Sequence, residues 1–185
     1  MTTLPLWHRL ELRSGEARLC RHANRWGGHR AIGRFFGGVS RLGDGVFWYA
    51  LMTLFALLGG LRGVQAALHM AATGLLALAL YRALKRWTRR PRPFRRHAGI
   101  IAHVPPLDEF SFPSGHTLHA VSFSLVAVAY CPPLVVLLLP FTLLVAASRV
   151  VLGLHYPSDV LAASALGTGL ASLSLWCVGG VSLLA

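Results

Sequence analysis

Five apolar runs, none carrying a charged residue, restrict what this chain can fold into more than any other feature. They are Val46 to Leu61, Val64 to Tyr81, Thr117 to Cys131, Leu134 to Ala147 and Val160 to Leu184. A membrane-spanning helix needs about 20 predominantly apolar residues. The first run is short by that measure, and Leu42 to Gly45 extend it. Its opening Phe47-Trp48-Tyr49 suits the aromatic belt of a membrane interface. Only 13% of the 185 residues are charged and 55% are hydrophobic, whereas a soluble domain carries about a quarter charged residues. The expected architecture is an all-α, polytopic transmembrane helix bundle of about five spans, with six possible, preceded by an amphipathic segment. The tight links at Gly59 to Gly63 and at Pro132-Pro133 then lie at one end of the bundle. The polar stretches 82–116 and 148–159 lie at the other. Alternation of the spans alone therefore gathers the polar clusters on one face.

The formal net charge of +12 suits anionic head groups of membrane lipids. No nucleic-acid recognition module is visible, so no nucleic-acid partner is expected. Residues 1–45 interleave Arg9, Arg13, Arg18, Arg21, Arg25, Arg30, Arg34 and Arg41 with Leu10, Leu19, Trp26, Ile32 and Phe35. That pattern reads as one or two basic helices lying on the membrane surface, with a disordered basic tail as the alternative up to about residue 28. No apolar core of signal-peptide length occurs in it. The organisation is thus a basic amphipathic segment over 1–45 and a membrane-embedded domain over 46–185. Cys20, Cys131 and Cys177 are scattered and show no metal or disulfide spacing. His69, inside the second span, reads as a packing residue.

Three polar clusters carry chemistry. In Ser148-Arg149-Val150-Val151-Leu152-Gly153-Leu154-His155-Tyr156-Pro157-Ser158-Asp159, charged groups sit between two apolar runs, a costly arrangement that marks functional candidates. Asp159, four residues after His155, can orient that imidazole as a nucleophile, and Arg149 offers a rigid fork of donors to a phosphate. The plain alternative is a loop whose charges merely flank two helices. Between residues 82 and 97, eight of sixteen are Lys or Arg. Pro91 and Pro93 end helical structure there, putting Lys85 on a helix end and Arg92 in a loop, both able to reach one anion. Snorkelling, lipid-facing side chains are the competing reading. Pro113-Ser114-Gly115-His116 opens the third apolar run, so its backbone N–H groups and the Ser114 hydroxyl can form an anion site or a simple helix cap. His116 is placed to protonate something bound there. His116 and His119 lack a carboxylate partner in the same stretch, which disfavours metal. His103, Asp108 and Glu109 read as solvated or substrate-rim residues.

Taken together, Lys85…Arg92-Pro93, then Pro113-Ser114-Gly115-His116, then Ser148-Arg149…His155…Asp159 resemble the signature of the type-2 phosphatidic acid phosphatase superfamily. That family includes lipid phosphate phosphatases and is related to vanadium haloperoxidases. The resemblance covers about residues 46–180, and many bacterial members look like six-span proteins where five runs are found here. It implies that His155 attacks phosphorus and forms a phosphohistidine, that Asp159 steadies the ring, and that His116 protonates the leaving oxygen and then helps activate water. Lys85, Arg92, Ser114, the Gly115 N–H and Arg149 would hold the phosphoryl oxygens, with no metal and no cofactor. The implied substrate is a lipid phosphate: phosphatidate, phosphatidylglycerol phosphate or undecaprenyl diphosphate. The expected place is the cell inner membrane with the site at the membrane face. The Arg-rich clusters pull that face towards the cytoplasm and the family resemblance towards the periplasm, which is preferred. A lipid phosphotransferase on the same fold and a non-catalytic membrane scaffold are the competing classes.

Overall fold

The computed structural model describes residues 14–182, so residues 1–13 of the basic segment and the last residues of the fifth apolar run lie outside it. Helix α1 (Ser14–Gly27) is amphipathic and is followed by α2 (Arg30–Arg41), a wide π turn (Leu42–Val46) and α3 (Phe47–Leu58). α4 (Gly60–Thr88), the short α5 (Pro93–Arg96), α6 (Gly115–Tyr130), α7 (Val135–Val151) and α8 (Pro157–Ser182) complete the chain. Arg30–Leu58, Gly60–Thr88, Pro132–Val151 and Pro157–Gly179 are each long and apolar enough to cross a membrane. α6 has 16 residues and, packed at the centre of these four, makes the fifth. The protein is a multi-pass, all-helical membrane bundle.

The first spanning helix starts at Arg30, well upstream of the apolar run at Val46. Its Arg-bearing first half is strongly amphipathic and packs an apolar edge that includes Val39 against α7. Basic side chains on the other edge keep their heads in a polar environment while their stems lie on apolar surface. The link to α4 is equally short: the break falls at Gly59 and Gly60, and residues 61–63 are already helical.

α6 packs against α4, α7 and α8. Ala120, Phe123, Val126 and Ala127 of α6 join Trp48, Leu51, Met70, Leu138, Val145 and Ala171 in one buried cluster. Helices in lipid gain little from burying apolar surface, so small side chains and interhelical hydrogen bonds hold them together. Ser124 and Thr142 supply one such bond, 2.7 Å between hydroxyls, and His69 meets the Tyr130 hydroxyl at 3.2 Å. The α3–α4 and α6–α7 links share one end of the bundle. The loops 89–114 and 152–156 share the other, where α1 is fastened through Asn24. Its amide donates to Ile101 O at 2.8 Å and Val151 O at 3.1 Å and accepts from the Ile101 N–H at 2.8 Å.

Candidate active site

The three clusters meet at the loop end. Lys85 comes from the last turn of α4, Arg92 caps α5, His116 lies in the first turn of α6, Arg149 in the last turn of α7 and Asp159 in the first turn of α8. His155 sits on the link between α7 and α8. Lys85, Arg92, Arg149, His155 and Asp159 are all buried. Lys85, Arg92, Gly115, His116, Arg149 and His155 line one cavity of about 790 Å³, whose opposite wall is apolar and includes Trp48, Met52, Leu75 and Leu78.

His155 is held by two bonds of opposite sense. Its Nδ1 lies 2.6 Å from the Ser111 carbonyl oxygen, which can only accept, so Nδ1 carries the proton. Nε2 lies 3.3 Å from the Arg92 guanidinium, which can only donate, so Nε2 presents a lone pair. Burial, reinforced by Arg92, Arg149 and Lys85, holds the imidazole well below its ordinary pKa. The ring is therefore held neutral, with its lone-pair nitrogen among cations.

Asp159 departs from the contact its spacing suggests. Its Oδ2 is 3.6 Å from His155 Nδ1, beyond hydrogen-bond reach. It accepts instead from the Tyr156 N–H at 2.8 Å and from Arg90 at 2.7 Å. Arg90 also donates to the Ser158 hydroxyl at 2.7 Å and to Glu16 of α1 at 2.9 Å. A Glu16–Arg90–Asp159 chain thus runs from the half-buried Glu16 to the buried Asp159, and Glu16 caps α8 by accepting from the Ser158 N–H at 2.9 Å. Ser114 forms the helix cap, one of the two readings its stretch allows. Its hydroxyl is buried, within 3.0 Å of the Thr117 hydroxyl and 3.5 Å of the Thr117 N–H, and so serves as the N-cap of α6. The cap keeps the first-turn N–H groups of α6, including that of Gly115, directed towards the site.

The cations are arranged around Asp108, a partly exposed residue on the rim of the cavity, as the sequence suggests. Lys85 Nζ donates to both of its carboxylate oxygens at 2.7 and 2.8 Å and to Phe110 O at 2.8 Å. Arg92 donates to the same carboxylate at 2.7 Å and to Leu154 O at 2.9 Å. Burial raises the Asp108 pKa, but Lys85 and Arg92 outweigh it and hold it below the usual carboxylate range. Arg92 itself is lowered, by burial first. Arg149 donates from Nη1 to the Ser40 hydroxyl of α2. Its buried Nε has no hydrogen-bond partner among the described residues, so an anion entering the cavity gains a pre-desolvated donor. His116 Nε2 lies 3.4 Å from Asp44 of the π turn.

The residues around the site that the sequence does not single out are therefore Glu16, Ser40, Asp44, Arg90 and Ser111. One signal was available for the acids. The chain has six Asp and Glu against eighteen Lys and Arg, and an acid so scarce is worth tracing to its partner.

Comparison with known proteins agrees with this geometry. The model of the PAP2 superfamily matches residues 63–182. The decaprenylphosphoryl-5-phosphoribose phosphatase of Mycobacterium tuberculosis is 34% identical over 131 residues, 70% of this chain and 71% of that protein. The undecaprenyl-diphosphatase BcrC of Bacillus subtilis is 32% identical over 61% of this chain and 58% of its own length. In three dimensions the chain resembles the transmembrane PAP2-type phosphatidylglycerolphosphate phosphatase of Bacillus subtilis, with a TM-score of 0.76 and 26% identity over 91% of this chain and 86% of that one. The chain belongs to the PAP2 superfamily, as a membrane lipid phosphatase.

Proposed function

We propose that the enzyme releases inorganic phosphate from a lipid phosphomonoester or diphosphate in two steps through His155. The observation that carries this reading is the neutral ring with its Nε2 lone pair among three buried cations. As substrate enters, Arg92 exchanges Nε2 for a phosphoryl oxygen, and Nε2 attacks phosphorus as the bond to the lipid oxygen breaks. His116 gives that oxygen its proton. Lys85, Arg92, Arg149 and the Gly115 N–H bear the charge that grows on the phosphoryl oxygens. The ring becomes cationic once phosphorylated, and Asp159, at 3.6 Å, stabilises it there. Water then attacks the phosphohistidine, its proton passes to His116, and the P–N bond breaks. Ser114 acts through the cap of α6.

The polyprenyl-linked phosphosugar named for the mycobacterial relative is the first substrate to test. Phosphatidylglycerol phosphate, phosphatidate and undecaprenyl diphosphate complete the set. Detergent-purified protein is expected to release phosphate from at least one of them, with His155→Ala inactive and activity unchanged in EDTA. Release by His155→Ala at the wild-type rate, or strict dependence on magnesium, would reject the mechanism.

The same reading has the basic segment as far as α1 resting on the membrane and the embedded domain, beginning with the spanning helix at Arg30 rather than at residue 46, in the inner membrane with its site facing outwards. Lys85, Arg90, Arg92 and Arg149 are buried in the site, so they weigh little in the positive-inside balance. Cys131 lies at the opposite end. In a variant lacking Cys177 it is expected to resist a membrane-impermeant maleimide in intact spheroplasts; ready labelling would reverse the orientation.

A further inference from the structure

The family match begins at residue 63, yet the cavity wall also includes Gly43, Asp44 and Gly45 of the π turn. We propose that Asp44 is a positioning residue for His116, holding the imidazolium that protonates the leaving oxygen and that re-forms when water attacks. This proposal rests on the hydrolytic reading above. It begins from contact: Asp44 Oδ1 lies 3.4 Å from His116 Nε2, and Asp44 is the carboxylate paired with this ring among the described residues. The charged groups facing His116 from the other elements are Arg149, His155 and Arg92, with His119 on its own helix. Cations oppose the protonated form of an imidazole and a carboxylate favours it. A general acid in this setting needs such a partner.

The turn that delivers Asp44 is sterically specified on both sides. Gly45 has φ 133° and ψ −41°, a conformation closed to residues bearing a Cβ. At Gly43 a Cβ would lie 2.9 Å from Val145 Cγ2 of α7, so only glycine lets the turn press against that helix. The buried Trp48 indole donates to Gly43 O at 3.3 Å and ties the turn down. Wide turns of this kind inside longer helices often mark functional sites. Here the turn puts an acid into the cavity from a helix whose neighbouring Ser40 holds Arg149.

The test compares Asp44→Asn with wild type on the lipid substrate and on p-nitrophenyl phosphate, whose leaving group departs without a proton. On the lipid, kcat is expected to fall roughly 30- to 300-fold, within the range of general-acid contributions, with KM little changed. The alkaline limb of kcat should move to lower pH, because the ring loses the charge that retains its proton. On p-nitrophenyl phosphate the burst of p-nitrophenolate, which reports the first step alone, should be nearly unchanged, and Asp44→Glu should recover part of the lipid activity. A p-nitrophenolate burst slowed as much as lipid turnover, a rise in KM alone, or an unchanged lipid kcat would overturn the assignment. Inorganic phosphate binding by calorimetry shows that the variant site is intact. If Asp44→Asn fails to bind it, Asp44→Glu decides, since a purely structural role gives equal changes on both substrates. Absence of turnover by wild type on every substrate would instead sink the hydrolytic reading and this assignment with it.

Discussion

His155 owes its neutral form to neighbours on either side of the ring. The Ser111 carbonyl fixes the proton on Nδ1, and Arg92, Arg149 and Lys85, with burial, keep a second proton off. Its pKa is lowered in the folded state, so the ring stays neutral as pH falls through the ordinary histidine range near about 6.5 and charges only well below it. Nitrogen NMR of histidine-labelled protein should show a neutral His155 at pH 6, and Arg92→Ala should return its titration towards the ordinary value. Asp108 titrates with the opposite consequence. Its pKa is lowered by Lys85 and Arg92, so the stability it contributes is present above the ordinary carboxylate pKa and is lost as pH falls through the lowered one. Asp108→Asn should melt below wild type at pH 7, and the gap should close in acid. The spacing of Lys85, Arg92, His116, Arg149 and His155 made these residues legible in the sequence. That of Asp159 misled in detail, because i to i+4 proximity cannot reveal that Arg90, from another element, takes the carboxylate.

Elements show where local sequence speaks for itself and where it does not. Pro91, Pro93 and Pro157 mark helix boundaries, and the structure puts them there. Ser114 is open to two readings because a helix cap and an anion site use the same N–H groups; the Thr117 contacts show that it makes the cap. Ser114→Ala should therefore cost about 1 kcal/mol of stability, read as a lower melting temperature, with a modest fall in kcat. The upstream half of the first span was hidden by Arg30, Arg34 and Arg41, whose charges mask an amphipathic helix continuous with α3. Arg90 was concealed within a basic run, where nothing local separates one arginine from its neighbours. Replacing it by Met leaves the buried Asp159 and the half-buried Glu16 without their cation, which should destabilise the protein by about 3–5 kcal/mol, measured by thermal unfolding in detergent. It should also loosen α1, visible as faster proteolysis after Arg21 and Arg25.

At the scale of the whole molecule, the count of apolar runs and the shortness of two links were enough to bring the clusters to one end. What they did not convey is depth. α4 has 29 residues, about 43 Å at roughly 1.5 Å per residue, while α6 has 16, about 24 Å by the same rise. A hydrocarbon core is about 30 Å thick, so one helix overshoots it and the other, whose first turn carries His116, stops short. The phosphoryl group of a bilayer lipid floats at a height set by its own leaflet, whereas the height of the catalytic floor is set by the protein. Hydrophobic mismatch thereby becomes a variable of the reaction. In vesicles of increasing acyl length, turnover of the lipid should pass through an optimum while turnover of p-nitrophenyl phosphate stays flat. The enzyme would then sense the thickness of the membrane in which it works.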